Sequence, residues 1–234
     1  MKFWQVGRAG IRVVAFATIL AAMLLIAAAP GAMAADQEDA QGIVDNSRVT
    51  LSAFMRDKDY EWLRENIKKA KGMLIYPQVL KAGYILGGSG GTGVLLARDS
   101  KTGEWSDPAF YTLGSVSFGL QIGGEAAEVV MLVMSQKGVD SLLTSKFKLG
   151  GDTSIALGPV GAGAKANITA DFISFSKSKG LYAGLNLDGS YLSVRESLNK
   201  AYYGKEASPV DIIVKQSVSN PGAVPLREEL KKAK

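Results

Sequence analysis

Between Gly72 and Val194 the chain is a succession of short apolar runs broken by glycine, and this pattern confines it to few folds. The runs MLIYPQVLKAGYIL, GVLLAR, AFYTLGSVSFGLQIG, EVVMLVMS, ITADFISFS and GLYAGLNLDGSYLSV have the character of strands in a meander or barrel. Glycine inside a strand costs conformational entropy and supplies no side chain to pack, so 27 glycines require a physical reason. They let strands bend sharply in a small closed sheet, or they let a ligand or a second backbone come close. Curvature is the simpler account for most of them. The segments Asp99-Ser100-Lys101-Thr102-Gly103 and Lys177-Ser178-Lys179-Gly180 read as hairpin loops joining antiparallel neighbours.

Upstream of this region the period changes. Ala40, Ile43, Val44, Ser47, Leu51 and Phe54 recur at steps of three and four, and Tyr60, Leu63, Ile67 and Ala70 repeat that spacing. Two amphipathic helices are predicted, the second capped by Asp59 and ending at Gly72. Shorter helices are predicted over Gly138–Ser145, Glu196–Tyr203, Pro209–Val214 and Leu226–Lys232. The fold class is α+β, mainly β: a glycine-rich antiparallel barrel-like sheet with N-terminal amphipathic helices and a few short flanking helices. No second core and no internal repeat is visible.

The first 34 residues have the layout of a secretory leader. Lys2, Arg8 and Arg12 precede an uncharged, mainly apolar run from Val13 to Ala29, followed by Pro30 and Ala32-Met33-Ala34. Cleavage after Ala34 is expected. The alternative is a retained anchor, for which a run of about 17 residues is at the short edge. The organisation is therefore 1–34 leader, 35–66 helical segment, 67–220 β-rich domain and 221–234 a C-terminal tail or short helix. The leader holds three of the 27 basic residues and none of the 22 acids, which leaves 24 against 22 and a net charge of about +2. So small a surplus gives no field suited to nucleic acid. With no cysteine, the exported chain is stabilised by its core alone and carries no lipid on a cysteine. The expected location is the periplasm, or the periphery of a membrane.

Most catalytic chemistry is excluded by residue type. There is no histidine, so histidine triads, histidine zinc sites and imidazole acid–base catalysis are impossible. Gly88-Ser89-Gly90-Gly91-Thr92-Gly93 satisfies a dinucleotide fingerprint in letters, yet Val94-Leu95-Leu96-Ala97 and a hairpin loop follow it where a helix is required. Gly158-Pro159-Val160-Gly161-Ala162-Gly163-Ala164-Lys165 lacks the ending of a phosphate-binding loop. Ser174 and Ser197 head S-x-x-K sequences, but Lys101-Thr102-Gly103 precedes both instead of following. Glu125 and Glu128 stand in an apolar stretch; three apart on a strand they face opposite sides and do not pair. Glu125 is expected to meet a lysine or arginine, with a metal contact as the alternative. No enzyme activity and no cofactor is expected.

What remains is basic and apolar together. Lys68, Lys69 and Lys71 lie at the end of the second helix, with Lys81 shortly after. Cations at a helix C-terminus offset its dipole, which is one account of them. The other is a headgroup site, with lysines facing phosphates and Tyr60 and Trp62 at the interface.

The segments KKAKGMLIYPQVLKAGYILGGSGGTGVLLAR, TGEWSDPAF, IGGEAAEVVMLVMS, FKLGGDTSIALGPVGAGAKA, FISFSKSKGLYAGLNLDGSYLSVR and NKAYYG, in this order, resemble the SYLF domain family over Ile67 to Val214. The resemblance implies a compact β-rich domain with flanking helices and no enzymatic activity. It implies phosphoinositide or other phospholipid binding, as in eukaryotic members, and actin binding, as in the yeast ones. Lys68, Lys69, Lys71 and Lys81 fall where eukaryotic members also carry basic residues. With an export leader, the expected partner is an anionic phospholipid or membrane surface of a bacterial cell envelope, actin entering only by family analogy. A structural or protein-binding envelope component is the alternative.

Overall fold

The computed structural model describes residues 35–83, 86–118, 123–151, 153–178 and 187–232. The expected leader and residues 179–186, which hold the second half of Lys177–Gly180 and the start of the run after it, lie outside them. Helix α1 spans 35–56, and its stripe of Ala40, Val44, Ser47, Leu51 and Phe54 is fully buried, as the spacing predicts. The expected second helix is broken into pieces. A 3-10 turn at Lys58–Tyr60, capped by Asp57 through the Asp59 amide, leads into α2 at Glu61–Asn66 and a further 3-10 turn at Ile67–Lys69. The cap is therefore Asp57, two residues before the expected one.

Strands β1 (Gly72–Gly83), β2 (Leu86–Ala97), β3 (Ala109–Phe118) and β4 (Gly123–Val133) form the centre of the sheet. Helix α3 (Gln136–Leu142) and strands β5 (Lys146–Lys148), β6 (Ile155–Leu157), β7 (Phe172–Ser178) and β8 (Tyr191–Val194) follow. The order across the sheet is β5-β8-β3-β2-β1-β4-β7-β6, and only β6–β7 is parallel. The sheet curls into a half-barrel with β5 and β6 as its edges. As expected, the Asp99–Gly103 loop joins antiparallel neighbours. Of the second expected hairpin, Lys177 and Ser178 belong to β7, and its turn with the start of the run after it lies outside the described residues; β8, at the end of that run, lies across the sheet beside β3. At the end of β7 Lys177 turns onto the helical side and meets Asp57 at 2.6 Å.

Both faces of the sheet are covered, which is why MLIY, VLLA and VVMLV read as continuous apolar runs and not as an alternation. On one side Met73, Ile75, Val94, Leu96, Phe110, Val130 and Leu132 pack against α1, α2, α4 (Glu196–Tyr203) and α5 (Val224–Lys232). On the other, Leu74, Tyr76, Leu95, Tyr111, Val129 and Met131 meet α3 and a π-helical turn at Val210–Val214 that inserts Ile212 and Ile213. The short helices thus fall close to where the sequence puts them. Helix α4 stops at Gly204, whose φ of 68° is the left-handed conformation glycine tolerates.

Strand β1 is interrupted by a bulge at its proline. Pairing to β2 shifts between Ile75 and Leu80, and pairing to β4 shifts between Tyr76 and Val79. Pro77 cannot donate to a ladder, so a central strand accommodates it only at such an irregularity. The bulge pushes backbone toward β2, and two glycines make room. A Cβ on Gly91 would lie 2.3 Å from the Gln78 carbonyl oxygen, and one on Gly93 would lie 2.2 Å from that of Ile75 and 2.6 Å from the Tyr76 ring. The decoy fingerprint is thus strand β2 passing beneath a bulge.

Candidate functional site

The turn from α2 into β1 fixes the orientation of three lysines. Ile67 and Ala70 are buried, so Lys68, Lys69 and Lys71 between and beyond them are exposed. The backbone of this turn is pinned from both sides. The Lys71 amide donates to the Val133 carbonyl at 2.8 Å, and its carbonyl accepts from the Arg98 amide at 2.8 Å. The Arg98 guanidinium donates to the Lys68 carbonyl at 2.5 Å and to the Gly103 carbonyl at 3.0 Å. Arg98 is thus a fourth cation at this corner, and the sequence pattern did not point to it because it lies 27 residues beyond Lys71. Its arrival is a consequence of the β1–β2 pairing of Gly72 with Ala97.

Lys101 stands in the adjoining loop. Asp99 organises that loop by accepting from the amides of Lys101 and Thr102 and from the Thr102 hydroxyl, bonds that hold its carboxyl below the usual range. Among the described residues no ion pair engages Lys68, Lys69 or Lys71; the Lys69 ammonium donates to the Asn66 side chain at 2.9 Å. Lys68, Lys69 and Lys71 are therefore held on a pinned backbone and, among the described residues, make no ion pair. Such a surface attracts phosphate groups.

Two expectations about this corner change. Tyr60 and Trp62 do not face outward: they are 5% and 8% exposed. The Tyr60 hydroxyl donates to the Ser176 carbonyl at 2.8 Å, the Trp62 indole donates to the Ala166 carbonyl at 3.0 Å, and both rings pack against Phe175. These aromatics anchor the helical layer to β7. Lys81 also separates from the other three. It sits ten residues along β1 from Lys71, roughly 30 Å at the rise of a strand. There it lies between Ser89 of β2 and Glu125 of β4 in register.

The two glutamates diverge as strand alternation requires. Glu125 lies opposite Lys81, the kind of neighbour expected for it, and is half-buried. Glu128 faces the helical layer and accepts from the Thr50 hydroxyl of α1 at 3.0 Å. No group of His, Cys, Asp or Glu among the described residues could hold a metal ion. Of the S-x-x-K pairs, Ser174 is buried in β7 with its hydroxyl toward the Ala156 carbonyl, and Lys177 is paired with Asp57. Lys200, the partner of Ser197, is paired with Glu206.

A family model described as Las17-binding protein actin regulator, Ysc84, matches residues 114–233. Protein YSC84 of Saccharomyces cerevisiae is 35% identical over 169 residues, 68% of this chain and 35% of the relative. SH3 domain-containing YSC84-like protein 1 of Homo sapiens is 32% identical over 152 residues, 63% of this chain and 44% of the relative. LAS seventeen-binding protein 3 of Saccharomyces cerevisiae is 34% identical over 167 residues, 68% of this chain and 35% of the relative. The chain thus spans less than half the length of these relatives. No solved structure matches it. The family match begins inside β3, so the Lys68–Lys71 turn lies upstream of it.

Proposed function

Because the chain belongs to the Ysc84 (SYLF) family, we propose that it is a non-catalytic binding protein whose ligand is an anionic phospholipid surface, met by the Lys68–Lys71 corner. The observation that carries this reading is the set of exposed lysines held on a turn that Val133 and Arg98 pin in place. A lysine near an anionic surface contributes about 1 kcal/mol, so three together contribute about 3 kcal/mol, close to two decades in partition. The leader-like first 34 residues make the bacterial envelope the proposed location, with the protein periplasmic or peripheral to a membrane.

The test is sedimentation with vesicles of rising phosphatidylglycerol content, comparing the natively processed protein with a Lys68→Glu, Lys69→Glu, Lys71→Glu variant. Binding should rise with anionic content and fall about 100-fold or more in the variant, whose side chains are exposed and dispensable for the core. Equal binding of the two proteins at every composition would refute the assignment.

A second reading is a protein-binding role, favoured by the family description as Las17-binding and actin-regulating. Co-sedimentation with actin filaments tests the part of it that the description names.

A further inference from the structure

Beyond the helical layer, the sheet carries an apolar platform on the far end of its central strands. Even-numbered residues of β2 and β3 face the helices, as Val94, Leu96 and Phe110 do, so Gly88, Gly90, Gly114 and Val116 share that face. Register then places one row across six strands, Lys148–Tyr191–Gly114–Gly90–Leu80–Ala126, and beside its inner part the pair Val116–Gly88. From Gly114 to Ala126 the row is apolar, as are Val116 and Gly88; Tyr191, with the ammoniums of Lys146 and Lys148 over its ring at 4.6 and 5.8 Å, borders it. Leu80 is 56% exposed and Val116 is 71% exposed.

The glycines here differ from those under the bulge. A Cβ on Gly114 would meet nothing within 4 Å, and one on Gly90 would meet only the Leu113 carbonyl at 3.6 Å. No described residue requires glycine at these two positions. A smooth surface that an external apolar phase can lie against does.

We infer that this platform is a second membrane contact, which sets Leu80 and Val116 into the acyl region of a bilayer. Three observations select that occupant. The platform covers roughly 200 Å² at strand spacings, against about 800 Å² per partner in a stable protein interface. Its apolar part has no charged or hydrogen-bonding side chain to specify a protein partner, and the tyrosine and two ammoniums that border it on β8 and β5 are groups suited to a membrane interface. The opposite face of the same strand ends is polar, with Lys81 between Ser89 and Glu125, and Ser89 bonded to Ser115 at 2.6 Å. One apolar face and one wet face on the same element suit an interface between hydrocarbon and water. The choice of a bilayer rests on reading the chain as a membrane-surface protein; the platform itself is independent of the lysine corner.

The experiment uses vesicles of uncharged phosphatidylcholine, which remove the contribution of the lysines. The natively processed protein should partition into them, and a Leu80→Glu, Val116→Glu variant should lose about tenfold or more, a factor equivalent to about 1.4 kcal/mol. Both side chains are exposed, so the variant keeps the near-ultraviolet circular dichroism of the parent. The Lys68→Glu, Lys69→Glu, Lys71→Glu variant should partition into these vesicles like the parent, so failure of the lysine corner and failure of the platform are told apart. In a Val116→Trp variant, lipids brominated on their acyl chains should quench the new emission. Equal partition of parent and Leu80→Glu, Val116→Glu proteins, or no partition of the parent, overturns the proposal. A dimer that dissociates on Val116→Glu would assign the platform to a second copy and also overturn it.

Discussion

Replacing Gly93 by alanine should destabilise the protein strongly, and the same change at Gly114 should not. At Gly93 the new methyl would sit 2.2 Å from the Ile75 carbonyl oxygen and 2.6 and 2.8 Å from two atoms of the Tyr76 ring. Tyr76 is fully buried and β1 is held by β2 on one side and β4 on the other, so neither neighbour can yield without moving the bulge. Overpacking of this kind costs about 1–3 kcal/mol, and a clash with backbone belongs at the upper end, about 3 kcal/mol. For a domain of this size that lowers Tm by roughly 6–12 °C. At Gly114 the methyl meets open space, and the reduced freedom of the unfolded chain gives a change of about zero to 1 kcal/mol in favour of folding. Urea unfolding followed by far-ultraviolet circular dichroism measures both. If the two variants shift the midpoint equally, the close passage of β1 over β2 is not what Gly93 serves, and the account of the bulge is wrong.

Arg227 donates to Asp107 at 3.1 Å, and Asp107, 6% exposed at its side chain, also accepts from the Asn220 amide at 2.9 Å. Arg227→Ala should therefore cost about 2 kcal/mol in urea unfolding, below the 3–5 kcal/mol of a fully buried pair because Arg227 is itself partly solvated; no change would show that Asp107 needs only the amide. Acid should weaken the fold through carboxyls whose pKa is depressed on folding. Asp211 is lowered to about 2 by the Ser208 hydroxyl and then by Lys215, and Asp57 is lowered by its bond to Lys177. A depressed pKa contributes stability that is present above the unfolded value near 4 and is lost as pH falls through the folded value, so the urea midpoint should drop between pH 4 and pH 2. Asp211→Asn should flatten that drop, and an unchanged slope would refute Asp211's part in it.

Much of this architecture is legible from spacing because local rules and packing agree. The α1 stripe from Ala40 to Phe54, the helix Glu196–Tyr203 and the Asp99–Gly103 turn need only periodicity and turn chemistry, and each is where those place it. What is not legible depends on distance along the sheet. Lys81 is close to Lys71 in sequence and far from it in space because an extended strand separates them, whereas Arg98 is distant in sequence and adjacent in space because β2 returns along β1. Tyr60 and Trp62 lie on an amphipathic pattern that does not say which of its faces meets β7; the hydrogen bonds to Ser176 and Ala166 decide that.

The bulge at Pro77 also decides which face of the sheet carries charge. Ahead of it, odd-numbered residues of β1 such as Met73 and Ile75 face the helices; beyond it, even-numbered Leu80 does, because one residue has been inserted relative to both neighbours. A strand of the same length without the bulge would keep its parity and set Lys81 on the platform face opposite Gly88, with Leu80 on the other face beside Ser89 and Glu125. The apolar platform therefore exists because a proline interrupts the central strand, and the glycines at 91 and 93 exist because that interruption needs room. Deleting Gln78 would remove the inserted residue and leave Leu80 opposite Gly90 and Ala126, so the clash that makes Gly93 necessary would ease while Lys81 stays on the polar face.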